Sequence, residues 1–250
     1  MSKVAVVVLA AGKGTRLAQG SPSPKPKVLY EVGGKPLILH TLDILKQIGL
    51  EDVILVIGHK GGFVQQTVGA GYKFAVQSRR LGTGHAAKVG LTQVTKDAEH
   101  IMVLNGDDSA FYKPETVKKV LEKHFRENNT ITFVTLEPKD PAGLGRIVRK
   151  SGKVVGIVEE KVATEEQKKI KEVNDGLYLF HRSWLEKNLS TIKKSKSGEY
   201  YLTDLIHLAL GKGEKVETYK LDDPSEWKGV NTPEELKEAD NLMKKKEQRL

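Results

Sequence analysis

The chain of 250 residues contains no cysteine. Disulfide staples, thiolate zinc sites, iron–sulfur clusters and a cysteine nucleophile are therefore excluded. Seven histidines are present, but none stands in His-Glu-x-x-His spacing, so a zinc site is not expected. No Gly-x-Ser-x-Gly elbow occurs. Each Gly-Lys pair is followed by Gly, Pro or Val, which rules out a Walker phosphate loop. Leu17 stands where a dinucleotide fingerprint needs its third glycine. Aromatic residues are only 6% of the chain. With neither a basic helix nor an aromatic stacking platform in view, nucleic acid is not an expected partner. No apolar stretch approaches bilayer-spanning length, so no membrane partner is expected.

What is present is a mildly basic globular composition. Lys plus Arg number 41 and Asp plus Glu 32, a net charge of +9. The basic residues are scattered among acidic ones, as in Glu165-Glu166-Gln167-Lys168-Lys169, the texture of a solvated surface. The surplus suits small anionic substrates such as nucleotides and sugar phosphates. The length suits one large domain. The apolar run 4–11 is dense in valine and leads straight into Gly12-Lys13-Gly14-Thr15-Arg16. That reads as a buried parallel strand rather than a signal-peptide core, and a cytoplasmic location is expected.

The first half alternates strands and helices. Strands are expected at 4–9, 53–57, 73–76 and 101–104, and helices at 37–48, 84–94 and 115–126, the last with Pro114 in its first turn. This order predicts an α/β fold, a doubly wound and mostly parallel sheet. Past Thr130 the texture changes. Strands at 146–149 and 154–159 flank a Lys150-Ser151-Gly152-Lys153 turn. Further strands are expected at 130–136, 173–181 and 216–221, and a helix at 201–210. Thr232 and Glu235 spell a capping box for a final helix. The second half thus predicts a smaller antiparallel lobe beside the first sheet. The expected division is 1–129, 130–231 and a C-terminal helix over 232–250, all one domain. No hexapeptide repeat of a β-helix follows.

In an open α/β sheet, ligands gather beyond the carboxyl ends of the strands. The loop Leu9-Ala10-Ala11-Gly12-Lys13-Gly14-Thr15-Arg16 follows the first strand. Its small residues admit a close ligand, its backbone N–H groups can cradle phosphate, and Arg16 can fork onto two oxygens. Such loops also join strands to helices without touching phosphate. Asp107 closes the apolar strand 101–104 through Asn105-Gly106, a placement suited to holding magnesium against phosphate oxygens; a capping or turn role for Asp107 or Asp108 is the alternative.

Set in order, that loop, Pro26-Lys27-Val28-Leu29, Gly34-Lys35-Pro36, Gln77, Leu81-Gly82-Thr83-Gly84-His85-Ala86 and Asn105-Gly106-Asp107 resemble the nucleotide-sugar pyrophosphorylases. Gly143-Leu144-Gly145-Arg146, Ile157-Val158-Glu159-Glu160-Lys161, Glu172-Val173-Asn174, Gly198-Glu199-Tyr200-Tyr201-Leu202-Thr203-Asp204 and Gly229-Val230-Asn231 narrow the match. They resemble the uridylyltransferase half of the bacterial bifunctional N-acetylglucosamine-1-phosphate uridylyltransferase/glucosamine-1-phosphate acetyltransferases. The resemblance covers nearly the whole chain. It implies a Rossmann-like nucleotidyltransferase fold with a sugar-binding lobe. It also implies a magnesium-dependent reaction of UTP with a sugar 1-phosphate, N-acetylglucosamine 1-phosphate being favoured, to give UDP-sugar and pyrophosphate. Without the β-helix, acetyl transfer is not carried over.

By this resemblance Arg16 and Lys27 would neutralise the phosphates as catalytic residues. Leu9, Ala10, Ala11, Gly12, Gly14, Asn105 and Gly106 would line the nucleotide, and Gln77, Gly82 and Thr83 would hold the uracil. Asp107 and Asn231 would ligate Mg2+. Gly145, Glu159 and Asn174 would contact the sugar, with Tyr201 and Thr203 as further contacts or, equally, a core tyrosine and a helix cap. Alternative readings are an exposed strand end for Gln77 and a surface charge for Lys27. Four departures from the family pattern bear on base and sugar identity. Arg80 stands where Gln is usual, Asp108-Ser109-Ala110 where an apolar residue, Pro and Leu are usual, and Asp175 where a small residue is usual. The loop from 17 to 25, with Pro22 and Pro24, is longer than the common form. The rivals are the same chemistry on another nucleotide, sugar or phosphorylated alcohol, and a catalytically silent binding module.

Overall fold

A computed structural model describes residues 3–18, 25–196 and 198–248. The lengthened part of the 17–25 loop, with Pro22 and Pro24, lies outside the described residues. In chain order the elements are β1 (Val4–Ala10), β2 (Glu31–Val32), β3 (Lys35–Pro36), α1 (Leu37–Gln47), β4 (Val53–Ile57), α2 (Gly61–Val68), β5 (Lys73–Val76), α3 (Thr83–Leu91), β6 (His100–Asn105) and α4 (Pro114–Arg126). They continue with β7 (Ile131–Leu136), β8 (Arg146–Lys150), β9 (Lys153–Val158), α5 (Glu165–Lys168), β10 (Val173–His181), α6 (Arg182–Leu189), α7 (Asp204–Gly211), β11 (Val216–Lys220) and α8 (Pro233–Glu247).

The main sheet runs β11-β7-β10-β6-β1-β4-β5, with β8 and β9 attached to β10. Along this path only β10 is reversed; the other six strands share one direction, so the sheet is mostly parallel. The expected α/β doubly wound fold is therefore what forms. The antiparallel pairings of the second half are fused into the same sheet through β10, which pairs with β6, β7 and β8. Apolar residues explain the layering. Successive residues of a strand face opposite sides. Ala5, Val7, Ile54, Val56, Ile101 and Val103 join one core with α3, α6 and α7. Val6, Val8, Leu55, Met102 and Leu104 join the other with α1 and α4. Both faces are thereby buried, as valine-rich parallel strands require. A third, smaller cluster seats α8 through Ala239 and Met243 against Val32, Leu37 and Phe111.

Three local outcomes refine the sequence reading. The β8–β9 turn forms with positive φ at Ser151 and Gly152, the conformation of a two-residue hairpin loop. The capping box of α8 is complete. The helix expected over 201–210 starts instead at Asp204, after a turn in which Asp204 N–H donates to Tyr201 O at 3.2 Å and Leu202 N–H donates to Thr83 Oγ1 at 3.0 Å. Among the described residues no helix is long and apolar enough to cross a membrane.

Candidate active site

Strand order reverses around β1, which pairs with β4 on one side and β6 on the other. Crevices at such switch points, beyond the carboxyl ends of the strands, are where α/β sheets bind ligands. A cleft of about 1030 Å³ opens there. Leu9 and Asn105, register partners at the ends of β1 and β6, line it. Reversed β10 brings its own beginning to the same edge, so Asn174 and Asp175 reach the cleft from the other half.

The first wall is built on the β1 loop. Gly106 N–H donates to Leu9 O at 3.0 Å, which ties the two strand ends together. Lys27 N–H donates to Gly12 O, also at 3.0 Å, and pins the lysine to that loop. The Lys27 ammonium pairs with Asp107 Oδ2 and donates to Asn231 Oδ1 at 3.0 Å. Arg16 Nη2 donates to the same Asn231 oxygen at 3.0 Å. Four residues expected to act together, from three distant stretches of chain, thus meet at one point. Burial opposes the charge of Lys27, but Asp107 and Asp108 outweigh it and raise its pKa above the usual lysine value. Asp107 is itself buried. Its carboxylate and the Asn231 carbonyl already serve a cation, which is the chemistry a magnesium ligand pair needs. Among the described residues no group of three or more His, Cys, Asp or Glu is arranged to hold a metal.

The second wall groups the expected sugar contacts. Asn174 N–H donates to Gly145 O at 2.9 Å, and Thr203 Oγ1 lies 3.4 Å from Glu159 Oε1. Thr203 precedes α7 but makes no side-chain cap hydrogen bond. Gly145, Glu159, Asn174, Tyr201 and Thr203 all line the cleft. The walls are stitched together at Gly82–Gly84. Tyr200 N–H donates to Leu81 O at 2.7 Å and Tyr200 O accepts from Gly84 N–H at 2.8 Å. Gly82 has φ +92°, and a Cβ there would stand 2.4 Å from Tyr200 O, so only glycine permits this crossing.

Ala10, Ala11, Gly12, Gly14, Gln77, Gly82, Gly106 and Asp107 are not on the cleft lining itself. Gln77 is buried rather than exposed. Its amide nitrogen lies 3.1 Å from Gly82 O and 3.0 Å from His85 Nδ1. Arg80 is exposed.

Sequence reasoning missed several lining residues, among them Lys139, Trp227 and Lys228. The only signal for the last two was their position just before Gly229-Val230-Asn231. The sequence marks Glu235 as half of a capping box. Its Oε2 also accepts from Asn231 N–H at 2.5 Å, so the capping-box pattern marks a residue that holds the site. Beneath the cleft, Tyr112 Oη donates to Asp175 Oδ1 at 2.5 Å. Burial pushes the Asp175 carboxyl up to about 7 despite that bond and one from Leu177 N–H. Burial, then Asp107 and Asp175, raise Asp108 well above the usual range. Asn174 Oδ1, Asp175 Oδ2 and Trp227 Nε1 are buried without hydrogen-bond partners, and their residues all line the cleft. Such orphaned groups are costly unless a ligand or water completes them.

Comparison with known proteins shows the family and the fold. The nucleotidyl transferase family pattern matches residues 5–246. The chain is 41% identical over 245 residues to the bifunctional protein GlmU of Heliobacterium modesticaldum, covering 97% of this chain and 52% of that protein. It is 37% identical over 242 residues to the bifunctional protein GlmU of Clostridioides difficile, covering 96% and 51%. The chain thus spans about half the length of these curated relatives. A crystal structure from Bacillus anthracis, described as a glucose-1-phosphate thymidylyltransferase in complex with a sucrose, shares the fold. Its TM-score is 0.82 at 22% identity, covering 96% of this chain and 94% of that one.

Proposed function

Because the chain belongs to the nucleotidyl transferase family, we propose that it transfers a uridylyl group from UTP to a sugar 1-phosphate, with N-acetylglucosamine 1-phosphate as the acceptor. The observation that carries this reading is the junction of Arg16, Lys27, Asp107 and Asn231 on the edge of a cleft whose far wall offers Glu159 and Asn174. The ordered motifs of the uridylyltransferase type and the GlmU relatives support it.

In this reaction an oxygen of the sugar phosphate attacks the α-phosphorus in line. The bond from that phosphorus to the bridging oxygen breaks, and pyrophosphate leaves with the electron pair. No protein nucleophile is needed; catalysis is positioning and charge neutralisation. The β1 loop from Leu9 to Gly14 cradles phosphate with backbone N–H groups. Arg16 forks onto the departing pyrophosphate, and Lys27 sets a point charge near the attacked phosphorus. Asp107 and Asn231 would hold Mg2+, which when bound supplies positive charge against the phosphate oxygens. Gln77, Gly82 and Thr83 shape the pocket for uracil. Glu159 accepts from sugar hydroxyls. The unpaired Asn174 carbonyl accepts from a hydroxyl or an acetamido N–H.

The test is a matrix of nucleoside triphosphates against sugar 1-phosphates with magnesium, read as pyrophosphate release. Turnover confined to UTP and N-acetylglucosamine 1-phosphate is expected. Turnover with another pair would keep the chemistry and move the specificity. Tight binding of UDP-sugar without any turnover would overturn the enzymatic reading.

A further inference from the structure

Three cationic and anionic partners crowd one small volume at the head of the cleft. Asn231 Oδ1 accepts from both Lys27 Nζ and Arg16 Nη2, each at 3.0 Å. A carbonyl oxygen has two lone pairs, so both are engaged. Asp107 Oδ2 is engaged by the same ammonium. In the chain on its own, the two oxygens that would ligate a divalent cation are therefore served by side-chain cations.

The lysine is placed to leave. Its backbone is fixed, through the bond to Gly12 O and through a short 3-10 turn, Lys27–Leu29, whose Val28 and Leu29 are buried. Its stem runs along the phosphate loop: a Cβ on Gly12 would meet Lys27 Cβ at 3.4 Å and Cδ at 3.7 Å. The ammonium stands at the end of four rotatable carbons. Phosphates held by that loop would sit beside this stem, and they would carry more negative charge than the single carboxylate the ammonium now serves.

We propose that Lys27 is a resident counter-cation of the Asp107–Asn231 pair, drawn off by nucleotide phosphates, so that nucleotide binding opens the divalent-cation site. The inference rests on the phosphate and metal roles proposed above. Arg16 holds the other lone pair of the Asn231 oxygen, so the departure of Lys27 frees one lone pair there and the Asp107 carboxylate. Lys27 thus has two successive partners, first the ligand pair and then the substrate. By linkage, the factor by which nucleotide tightens the cation is the factor by which the cation tightens nucleotide.

The experiment measures Mn2+ binding by electron paramagnetic resonance, on the whole chain without nucleotide. Lys27→Met is expected to tighten Mn2+ by roughly tenfold, within the range of ordinary site coupling. Lys228→Met, which removes another cleft lysine, is expected to change it less than about twofold, because a screened charge elsewhere in the cleft does not compete for the ligands. An unchanged or weakened Mn2+ affinity in Lys27→Met overturns the proposal, as does an equal gain in Lys228→Met. A second measurement needs no variant. The Nζ resonance of Lys27 in 15N-lysine-labelled protein should shift on adding UTP without metal, and an unmoved resonance overturns the proposal. Asp107→Asn separates the two readings. If it leaves Mn2+ binding in the presence of UTP unchanged, the metal assignment itself falls and this inference with it. If it weakens that binding while Lys27→Met has no effect, only the counter-cation role falls.

Discussion

The two ends of β6 treat polar groups in opposite ways. At its start, His100 Nδ1 lies 3.0 Å from His124 Nε2, and His124 Nδ1 lies 2.8 Å from Thr132 Oγ1. The His100 ring packs edge-on against His124, Phe125 and His181. Burial is the main cause that lowers both His100 and His124. At its end, the Lys27–Asp107 ion pair stands beside the cleft that Asn105 and Asp108 line, and buried acceptors on Asn174 and Asp175 stay unpaired. At the histidine end the buried rings pair with each other and with Thr132. At the cleft end the orphaned atoms belong to side chains of a cleft lining, where a ligand can complete them.

The sharpest break of this contrast removes charge at the cleft end alone. Asp107→Asn keeps size and shape but takes the partner from Lys27 and a proposed magnesium ligand from the site. Turnover should fall on the order of 10³-fold, the scale on which a preorganised electrostatic group acts. Circular dichroism should remain that of the parent chain. Near-parental turnover in a folded Asp107→Asn protein would remove Asp107 from the mechanism.

The opposite end should answer to acid rather than to substrate. His124 is fully buried, and its pKa is lowered from 6.5 to about 4 by burial, then by His100 and His181. The unfolded chain therefore takes up a proton that the folded chain refuses between those values. Stability from this group is complete above about pH 6.5 and drains away as pH falls toward 4. Between pH 7.5 and 5.0 the loss should be about 2 kcal/mol, read from urea midpoints. His124→Gln should lose most of that pH dependence. An equal acid loss in His124→Gln would assign the sensitivity to another part of the molecule.

The same contrast explains what the sequence discloses. The sheet was legible because its strands are runs of valine, isoleucine and leucine buried on both faces, as at Val53–Ile57. At the cleft end Arg16 and Asp107 stood out by their place beyond apolar strands, whereas Lys27 and Asn231 were legible only through the resemblance of the ordered motifs, since a loop lysine and a loop asparagine carry no pattern of their own. The histidine end was not, since His100, His124 and His181 come from three separate elements and share no spacing. Helix α2 escaped notice because it opens on Gly61-Gly62, poor helix formers by propensity. What admits it is tertiary: a Cβ on Gly61 would stand 2.8 Å from Ile57 Cδ1, so glycine lets the helix start against β4. The burial of Arg146, paired with Glu160 at 2.6 Å, likewise depends on a partner that an alternating strand pattern does not name.

The smallest effect lies at the seam between fold and site. Thr232 Oγ1 accepts from Glu235 N–H at 3.2 Å, while Glu235 Oε2 accepts from Thr232 N–H at 3.2 Å and Asn231 N–H at 2.5 Å. Thr232→Ala deletes the first of these bonds and leaves the two to the carboxylate. It should cost about 1 kcal/mol of stability, the usual value of a helix cap, with turnover within about twofold of the parent because Asn231 keeps its anchor. If turnover instead fell as far as in Asp107→Asn, the cap itself would be setting the geometry of Asn231. The division between groups that hold the fold and groups that await a ligand would then fail at this residue.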